Sequence, residues 1–425
     1  MSVSTEHRPQ VVSWNVTQAC NLRCPHCYLS AAKRAAHELS TGEGLSLIDE
    51  LAALGTELLI LTGGEPLLRR DLLELARRAN GRGLMVVLGS NGTLLDGKAA
   101  RALKESGGRG VGISVDSLSP EKHDAFRGVS GAWQKALHAI DACLAEGLEV
   151  ALQTSVLPMN HEEVPRIAEF ARERGARAFN AYFLVCTGRG EKLTDITPGE
   201  HEALLTELIA VQARHSGEQD RFMVRAKCAP HVKRFACEGL RRGDLGAAAA
   251  VMLLAGAGCP AGRSYLRIGP EGDVTPCPYL PVALGNVRRQ PLGEIWRQAE
   301  PLPKLRRLEL RGRCGACEFK EQCGGCRARA FAACGDLFGE DPWCAHQPAM
   351  HAAVPGRSAV AWNPEALARI AKVPAFIRSR VMQGVEAYAG ARGITQITPE
   401  LLVEVRAAFA RSQAAGHPGQ PTTSG

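Results

Sequence analysis

Val11-Val12-Ser13-Trp14-Asn15-Val16-Thr17-Gln18-Ala19-Cys20-Asn21-Leu22-Arg23-Cys24-Pro25-His26-Cys27-Tyr28 is the stretch on which the fold turns. Its first part, Val11–Thr17, is an apolar run of strand length. Three cysteines follow at C-x3-C-x2-C spacing. That spacing lets three thiolates wrap one face of a cubane iron–sulfur cluster and supplies no fourth ligand, so one iron stays open to a substrate or cofactor. A structural zinc site is closed by four ligands, and His26, between two of the cysteines, is the conceivable fourth. The spacing favours the open cluster, and an open metal at the end of a strand implies chemistry.

Outward from this stretch, strands and amphipathic helices alternate between residues 11 and 216. Candidate strands are Val11–Thr17, Leu58–Gly63, Leu84–Asn91, Val111–Asp116, Leu148–Ser155 and Arg177–Val185. Candidate helices are Ser46–Leu54, Asp71–Asn80, Lys98–Glu105, Trp133–Glu146, Val164–Arg174 and His201–His215, several of them followed by a glycine that suits a C-cap. Such alternation implies parallel strands joined by right-handed crossovers. A doubly wound open sheet would share the pattern. The chemistry-bearing residues, however, fall at successive strand ends: the cysteines after the first, Gly63-Gly64-Glu65-Pro66 after the second, Ser90-Asn91-Gly92-Thr93 after the third, and Asp116 at the fourth. That placement favours an α/β fold of partial (β/α)6 TIM-barrel type.

Bulk properties narrow the setting. The 425 residues, 45% apolar and 22% charged, suit one large globular domain with smaller appendages. A balance of 51 basic against 44 acidic residues is too mild to indicate nucleic acid and is compatible with an anionic substrate. The first ten residues are polar, and no apolar stretch reaches bilayer length, so a cytoplasmic protein with no membrane partner is expected. Fifteen cysteines in that setting read as metal ligands, not a disulfide framework.

The expected organisation is a barrel over 11–216, a bridge over 217–258 with an Ala-rich helix near Leu245–Leu254, and a Cys-rich module over 259–346. A linker over 347–361, a small helical domain over 362–410 and a disordered tail over 411–425 complete it.

Cys20, Cys24 and Cys27 followed by Tyr28, with the GGEP and SNGT stretches in order behind them, resemble the radical S-adenosylmethionine (SAM) superfamily. The resemblance implies a [4Fe–4S] cluster on those cysteines whose open iron chelates SAM, and reductive cleavage of SAM to a 5′-deoxyadenosyl radical. It implies that Gly63 and Gly64 give close backbone access to the methionine part of SAM, that Glu65, next to Pro66, offers a carboxylate to its ammonium group, and that Ser90 and Asn91 serve ribose and carboxylate. Asp116 is expected to face the same mouth, for ribose or substrate.

Cys259, Gly272, Cys277, Cys314-x2-Cys317-x5-Cys323-x2-Cys326 and Cys344 resemble the SPASM auxiliary-cluster module. The resemblance implies at least one auxiliary [4Fe–4S] cluster, held by Cys314, Cys317, Cys323 and Cys344. Cys259, Cys277 and Cys326 are then left as metal candidates without an obvious fourth partner, and zinc in this module is the competing reading.

Tyr182–Gly190, Cys228-Ala229-Pro230-His231 and Cys323–Ala330 are similar to the heme-biosynthesis branch, although Cys186 stands where that branch is expected to have proline. The segments Trp362–Glu365, Val373–Arg378 and Gly393–Glu400 resemble a helical domain of protochlorophyllide reductase, and Thr398-Pro399-Glu400 is a good helix start. These resemblances imply a porphyrin-type substrate whose acidic side chains are removed or decarboxylated, and an electron donor such as flavodoxin or ferredoxin. Arg189, Arg327 and Arg329 are candidate partners for its carboxylates, and His231 a candidate iron or proton ligand. Peptide maturation and a non-catalytic iron–sulfur carrier are the alternatives.

Overall fold

The computed structural model describes residues 7–216, 222–256, 258–348, 360–373 and 375–414. Its body is a sheet in which β1 (Val11–Thr17), β2 (Leu58–Gly63), β3 (Met85–Ser90), β4 (Gly108–Ser114), β5 (Glu149–Val156), β6 (Ala178–Phe183) and β7 (Met223–Lys227) are parallel and hydrogen-bonded in chain order. Between them run α1 (Thr41–Ala53), α2 (Leu72–Gly81), α3 (Gly97–Glu105), α4 (Pro120–Arg127), α5 (Ala132–Ala145), α6 (Val164–Glu173) and α7 (Pro198–Arg214). The order never reverses, which sets this sheet apart from the doubly wound kind.

Alternation along each strand divides the side chains. Val12, Trp14 and Val16 of β1, Leu59 and Leu61 of β2, and Val86 and Leu88 of β3 are buried in the core shared with the helices. Their alternating neighbours Ser13, Ile60, Thr62, Val87 and Gly89 line one cavity together with Gln153, Asn180 and Tyr182 from β5 and β6. Strands so far apart in the sheet share a cavity only if the sheet curls, as in a barrel.

The barrel is longer than the sequence pattern implies. A seventh parallel strand, β7, lies in the expected bridge; its run Met-Val-Arg-Ala-Lys carries two cations in five residues and gives no continuous apolar signal. On the other flank β8 (Tyr265–Ile268) pairs in parallel with β1, and β9 (Asp273–Thr275) and β10 (Gly285–Asn286) continue it antiparallel. The edges are therefore β7 and β10, and the barrel stays open. Two helix starts also differ from expectation. α1 begins at Thr41, where Ser40 and Glu43 form a reciprocal capping box, and α4 is an additional helix capped by Ser119 with Pro120 at its start.

After β7 come α8 (Val232–Arg242) and α9 (Ala247–Leu254). The Cys-rich module adds the short helices α10 (Leu292–Gln298), α11 (Leu302–Arg306), α12 (Gly312–Ala316) and α13 (Arg327–Cys334). The small C-terminal domain holds α14 (Pro364–Ile370), α15 (Ala375–Ala391) and α16 (Pro399–Ala414), with β11 (Ala361–Trp362) parallel to β12 (Gln396–Ile397). Both α15 and α16 pack on α9. The approach is close: a Cβ on Gly384 would lie 2.7 Å from the Val251 carbonyl oxygen. Of the expected linker, residues 349–359 lie outside the described residues, as do residues 415–425 of the expected tail.

Candidate active site and cysteine centres

The end of β1 and the cysteine loop are held by their neighbours. The Glu38 carboxylate accepts the Thr17 hydroxyl at 2.9 Å and the Gln18 N–H at 2.8 Å. The Gly64 and Glu65 N–H groups donate to the Thr17 and Ala19 carbonyls at 2.8 and 2.7 Å. A Cβ on Gly64 would lie 2.1 Å from the Ala19 carbonyl oxygen, so the demand for glycine comes from the chain's own path toward Cys20. Gly63 and Gly64 still line the cavity.

Glu65 is fully buried, and neither it nor Pro66 lies on the cavity wall. One Glu65 oxygen accepts the Ser90 hydroxyl at 2.9 Å and the Leu67 N–H at 3.3 Å, and the other accepts the Asn91 N–H at 2.9 Å. Burial raises its carboxyl pKa to about 7. Glu65 thus braces the ends of β2 and β3 and does not stand at the cavity wall, in contrast to the expected place beside an ammonium group. Ser90 and Asn91 do reach the cavity, and the Asn91 amide donates to Asn21 Oδ1 at 2.9 Å, tying the third strand end to the cysteine loop.

Asp116 differs from expectation in the same way. It is fully buried behind the mouth, where Arg127 Nε donates to its Oδ2 at 2.6 Å and the Ser155 N–H to its Oδ1 at 2.9 Å. Arg127 Nη1 in turn reaches Cys24 Sγ at 3.6 Å. Burial opposes both charges; Arg127 nevertheless holds the Asp116 carboxyl below its usual range, and Asp116 with Cys24 raises the guanidinium. Asp116 therefore aims a cation at a cluster-type cysteine. Arg127 and its helix α4 went unseen in the sequence, although Ser119-Pro120 marks the helix start.

The other expected basic residues are also committed. Arg189 donates to the Cys24 and Ala31 carbonyls at 3.0 and 2.6 Å and holds the cysteine loop from behind. Arg327 donates to the Leu337 and Gly339 carbonyls at 3.0 and 2.6 Å, and Arg329 to Leu184 at 3.2 Å. Arg327 is thereby spent on backbone carbonyls, Arg329 is buried with Nη1 3.6 Å from Asp341 Oδ2, and Arg189 still lines the cavity. His231 is buried with Nε2 3.1 Å from Asp341 Oδ2. His26 stacks on Phe126 with centroids 4.5 Å apart, and burial drops its pKa to about 4.

Cys314, Cys317, Cys323 and Cys344 surround one small cavity between α12, the following loop and α8. Each sulfur accepts backbone N–H groups: Cys314 from Asp341, Cys317 from Phe319 and Cys323 from Gly325, all at 3.4 Å, and Cys344 from His346. The loop cysteines behave alike, Cys20 accepting from Leu22 and Cys27 from Ala31, both at 3.4 Å.

Above the cysteine loop lies a cavity of ≈ 2560 Å³. Ordinary small-molecule pockets hold roughly 300–1,000 Å³, so there is room here for a large planar ligand beside a cofactor. Of the chain's five tyrosines, Tyr28, Tyr182, Tyr265 and Tyr279 line it. Tyr28 and Tyr279 meet edge to face at 5.2 Å, and the Asn15 amide donates to the Tyr28 hydroxyl at 2.7 Å. Arg225 and Lys227 of β7 face the same space. The half-polar strand that hid β7 from the sequence pattern is what makes this wall cationic.

Comparison with known proteins places these features. Residues 14–171 match the radical SAM superfamily model, 259–327 an iron–sulfur cluster-binding domain of SPASM type, and 362–406 the proto-chlorophyllide reductase 57 kD subunit model. The AdoMet-dependent heme synthase of Methanosarcina barkeri is 38% identical over 350 residues, covering 81% of this chain and 99% of that protein. This chain belongs to the radical SAM superfamily. Within the superfamily it sides with the heme-biosynthesis branch: the pre-heme d1 synthase of Dinoroseobacter shibae is 34% identical over 79% of this chain and 85% of that protein. The radical SAM fold is shared with Streptococcus suis SuiB bound to S-adenosylmethionine, at TM-score 0.62 and 16% identity, over 80% of this chain and 78% of that one.

This radical SAM enzyme accordingly takes a [4Fe–4S] cluster with SAM and at least one auxiliary iron–sulfur cluster. The side chains fit such groups. Thiolates flanked by N–H donors are the environment that tunes iron–sulfur clusters. A single tetrahedral zinc ion, with Zn–S near 2.3 Å, would draw its sulfurs to about 3.8 Å from one another. Among the described residues, neither the loop cysteines nor the set around Cys314 brings three sulfurs within 4.8 Å of one another, so neither is drawn in as a single tetrahedral ion would draw it. Among the described residues, no helix is long and apolar enough to cross a membrane.

Proposed function

We propose that this radical SAM enzyme removes or decarboxylates acidic side chains of a porphyrin-type substrate in heme or d1-type heme biosynthesis. The observation that carries the reading is the cavity itself: four tyrosines and the cationic side chains of Arg225 and Lys227 around ≈ 2560 Å³, open to the three-cysteine loop. Aromatic faces suit a flat macrocycle and cations suit its carboxylates. Curated relatives named for heme synthesis support the same reading.

Cys20, Cys24 and Cys27 hold the first cluster, and Cys314, Cys317, Cys323 and Cys344 hold the auxiliary one. Gly63, Gly64, Ser90 and Asn91 form the SAM-facing wall; Glu65, Pro66 and Asp116 stand behind it and fix its geometry. When bound, the cluster and SAM supply a 5′-deoxyadenosyl radical for hydrogen abstraction. The chain's own share is placement. Arg127 keeps a positive charge beside Cys24, the tyrosine wall orients the ring, and the β7 cations draw its carboxylates toward the cysteine loop. The enclosing helices keep out water. The setting is the reducing cytoplasm, with a flavodoxin or ferredoxin as reductant.

The test is anaerobic incubation of the reconstituted enzyme with SAM, reductant and iron coproporphyrin or didecarboxysiroheme, with products read by mass spectrometry. Loss of carboxyl or acetate-type groups from one of them is expected. Deoxyadenosine formed without turnover of any tetrapyrrole overturns the substrate assignment.

A further inference from the structure

The cavity does not stop beneath the cysteine loop. Each of the parallel strands β1 to β8 gives it a residue from among its first two, from Val11 on β1 to Tyr265 on β8, and the opposite strand ends line it as well at Gly63, Ser90 and Ser114. The six residues of β2 rise about 20 Å at roughly 3.3 Å each, so the space runs the length of the barrel. Barrels of this type are ordinarily filled by layers of bulky branched side chains. Here the inward positions Ser13, Gly89, Gly110, Gly112, Ala151 and Ala178 are small, and the interior stays hollow.

The channel therefore has a second mouth, at the N-terminal ends of the strands, and that mouth is cationic. Among the described residues that line it, Arg8, Arg109, Arg177, Arg263 and Arg297 stand against a single acid, Glu149. Arg8 pairs with Glu57 at 2.9 Å and Arg109 with Glu149 at 2.6 Å, and both guanidinium groups are about half exposed. Such water-exposed pairs are weak and yield readily to a competing carboxylate. Arg177 and Arg263 lie deeper, half-buried, where a charge-assisted hydrogen bond is stronger. His7, at the same mouth, reports the crowding: its pKa is lowered first by burial and then by repulsion from Arg306 and Arg263.

We propose, on the basis of the substrate reading above, that Arg177 and Arg263, with Arg8 and Arg109 at the rim, form a carboxylate-binding subsite for the acidic arms that a planar substrate keeps. The arms to be altered then lie at the other end, by the cysteine loop. A macrocycle with acidic arms on opposite edges presents one edge to each end of such a channel. Guanidinium–carboxylate pairs, being bidentate, fix the rotation of the ring as well as its depth. This mouth accordingly decides which arms reach the radical. Arms seated in it also stopper the channel against water.

The test measures binding before turnover. Full-length enzyme, reconstituted anaerobically and supplied with SAM, is titrated with iron coproporphyrin and with the fully esterified ring, and the shift of the ring's absorbance gives each Kd. The parent chain should bind the acid form more tightly than the ester. The double variant Arg177→Gln, Arg263→Gln should bind the acid form about 10- to 100-fold more weakly and the ester as before, with iron content and SAM affinity intact. Arg177→Lys with Arg263→Lys, which keeps both charges, should recover part of the loss. Arg101→Gln, on an exposed residue outside the cavity, should match the parent. In turnover with dithionite as reductant, mass spectrometry should show the glutamine variant altering arms that the parent spares.

A parent chain that binds no tetrapyrrole overturns the substrate assignment and the subsite with it. A parent that binds the acid form, with the glutamine variant binding it equally well, overturns the subsite alone. So does an equal loss of ester binding that the lysine variant does not relieve, the mark of a collapsed chamber, and so does a defect seen only when flavodoxin replaces dithionite, which assigns the mouth to an acidic protein.

Discussion

Asp341 Oδ2 accepts the backbone N–H of Cys326 at 2.7 Å. The same residue's own N–H donates to Cys314 Sγ at 3.4 Å, so one aspartate fastens together two groups of cysteines. Burial works against its charge, yet His231 and Arg329 hold the carboxyl well below the usual range. Asp341→Ala would strand the buried Arg329 and free the Cys326 N–H. A loss of about 3–5 kcal/mol of stability is expected, as for other broken buried pairs. Asp341→Asn, which keeps an acceptor for that N–H, should cost less. Anaerobic denaturation of the reconstituted variants, followed at the cluster absorbance, checks both.

Arg127 couples Asp116 to Cys24 in a buried pair. In Arg127→Met the Asp116 carboxylate loses its counter-charge, and about 3–5 kcal/mol is expected to go with it. A cation beside a cluster thiolate also favours the reduced state. The first cluster of the variant should therefore reduce at a lower potential, read by EPR-monitored titration, and an unchanged potential would deny Arg127 that influence.

Gly64 has no room for a methyl group against the Ala19 carbonyl. Gly64→Ala should displace the end of β1 and lower both cluster occupancy and SAM affinity, at a stability cost of about 1–3 kcal/mol. Iron analysis and equilibrium SAM binding test this; a variant with full iron and unaltered affinity contradicts it.

The raised pKa of Glu65 makes a pH prediction. Burial lifts the folded carboxyl to about 7 from the ordinary 4.5, so between those values the native state binds more protons than the unfolded one. Its contribution is greatest at low pH and is lost as pH rises through about 7, with a slope up to about 1.4 kcal/mol per unit. Asp195, raised by burial to about 6, acts with the same sign. Stability measured between pH 5.5 and 7.5 should therefore vary less steeply in Glu65→Gln than in the parent chain, even though the variant is weaker overall because its single amide oxygen cannot accept from both the Leu67 and the Asn91 N–H groups.

Much of this was legible in the sequence. Apolar strands such as Val11–Thr17 and Leu58–Gly63 announce themselves because apolar residues dominate their runs, and the cysteine spacings carry their chemistry with them. What escaped was whatever depended on tertiary company. β7 alternates apolar and cationic residues because one face lines a polar cavity. Cys228 stands far in sequence from Cys277 and Cys326, which it meets. Glu65 and Asp116 occupy the expected strand ends, but burial, which no local pattern reports, turns them inward as braces. Arg189, Arg327 and Arg329 carry the right chemistry for carboxylates, and nearer backbone carbonyls claim it first.

The close seat of Gly384 on Val251 joins two segments more than a hundred residues apart in sequence. Val251 and Leu254 of α9, with Val381, Gln383, Glu386 and Ala387 of α15, form one side of the cavity wall. That side exists only while the C-terminal helices are docked. Its breathing is a local equilibrium, separable from the melting of the barrel. In hydrogen exchange, the amides of α9 should report how often the chamber opens sideways, and Gly384→Val, by propping the two helices apart, should quicken that exchange while leaving β1 to β4 protected.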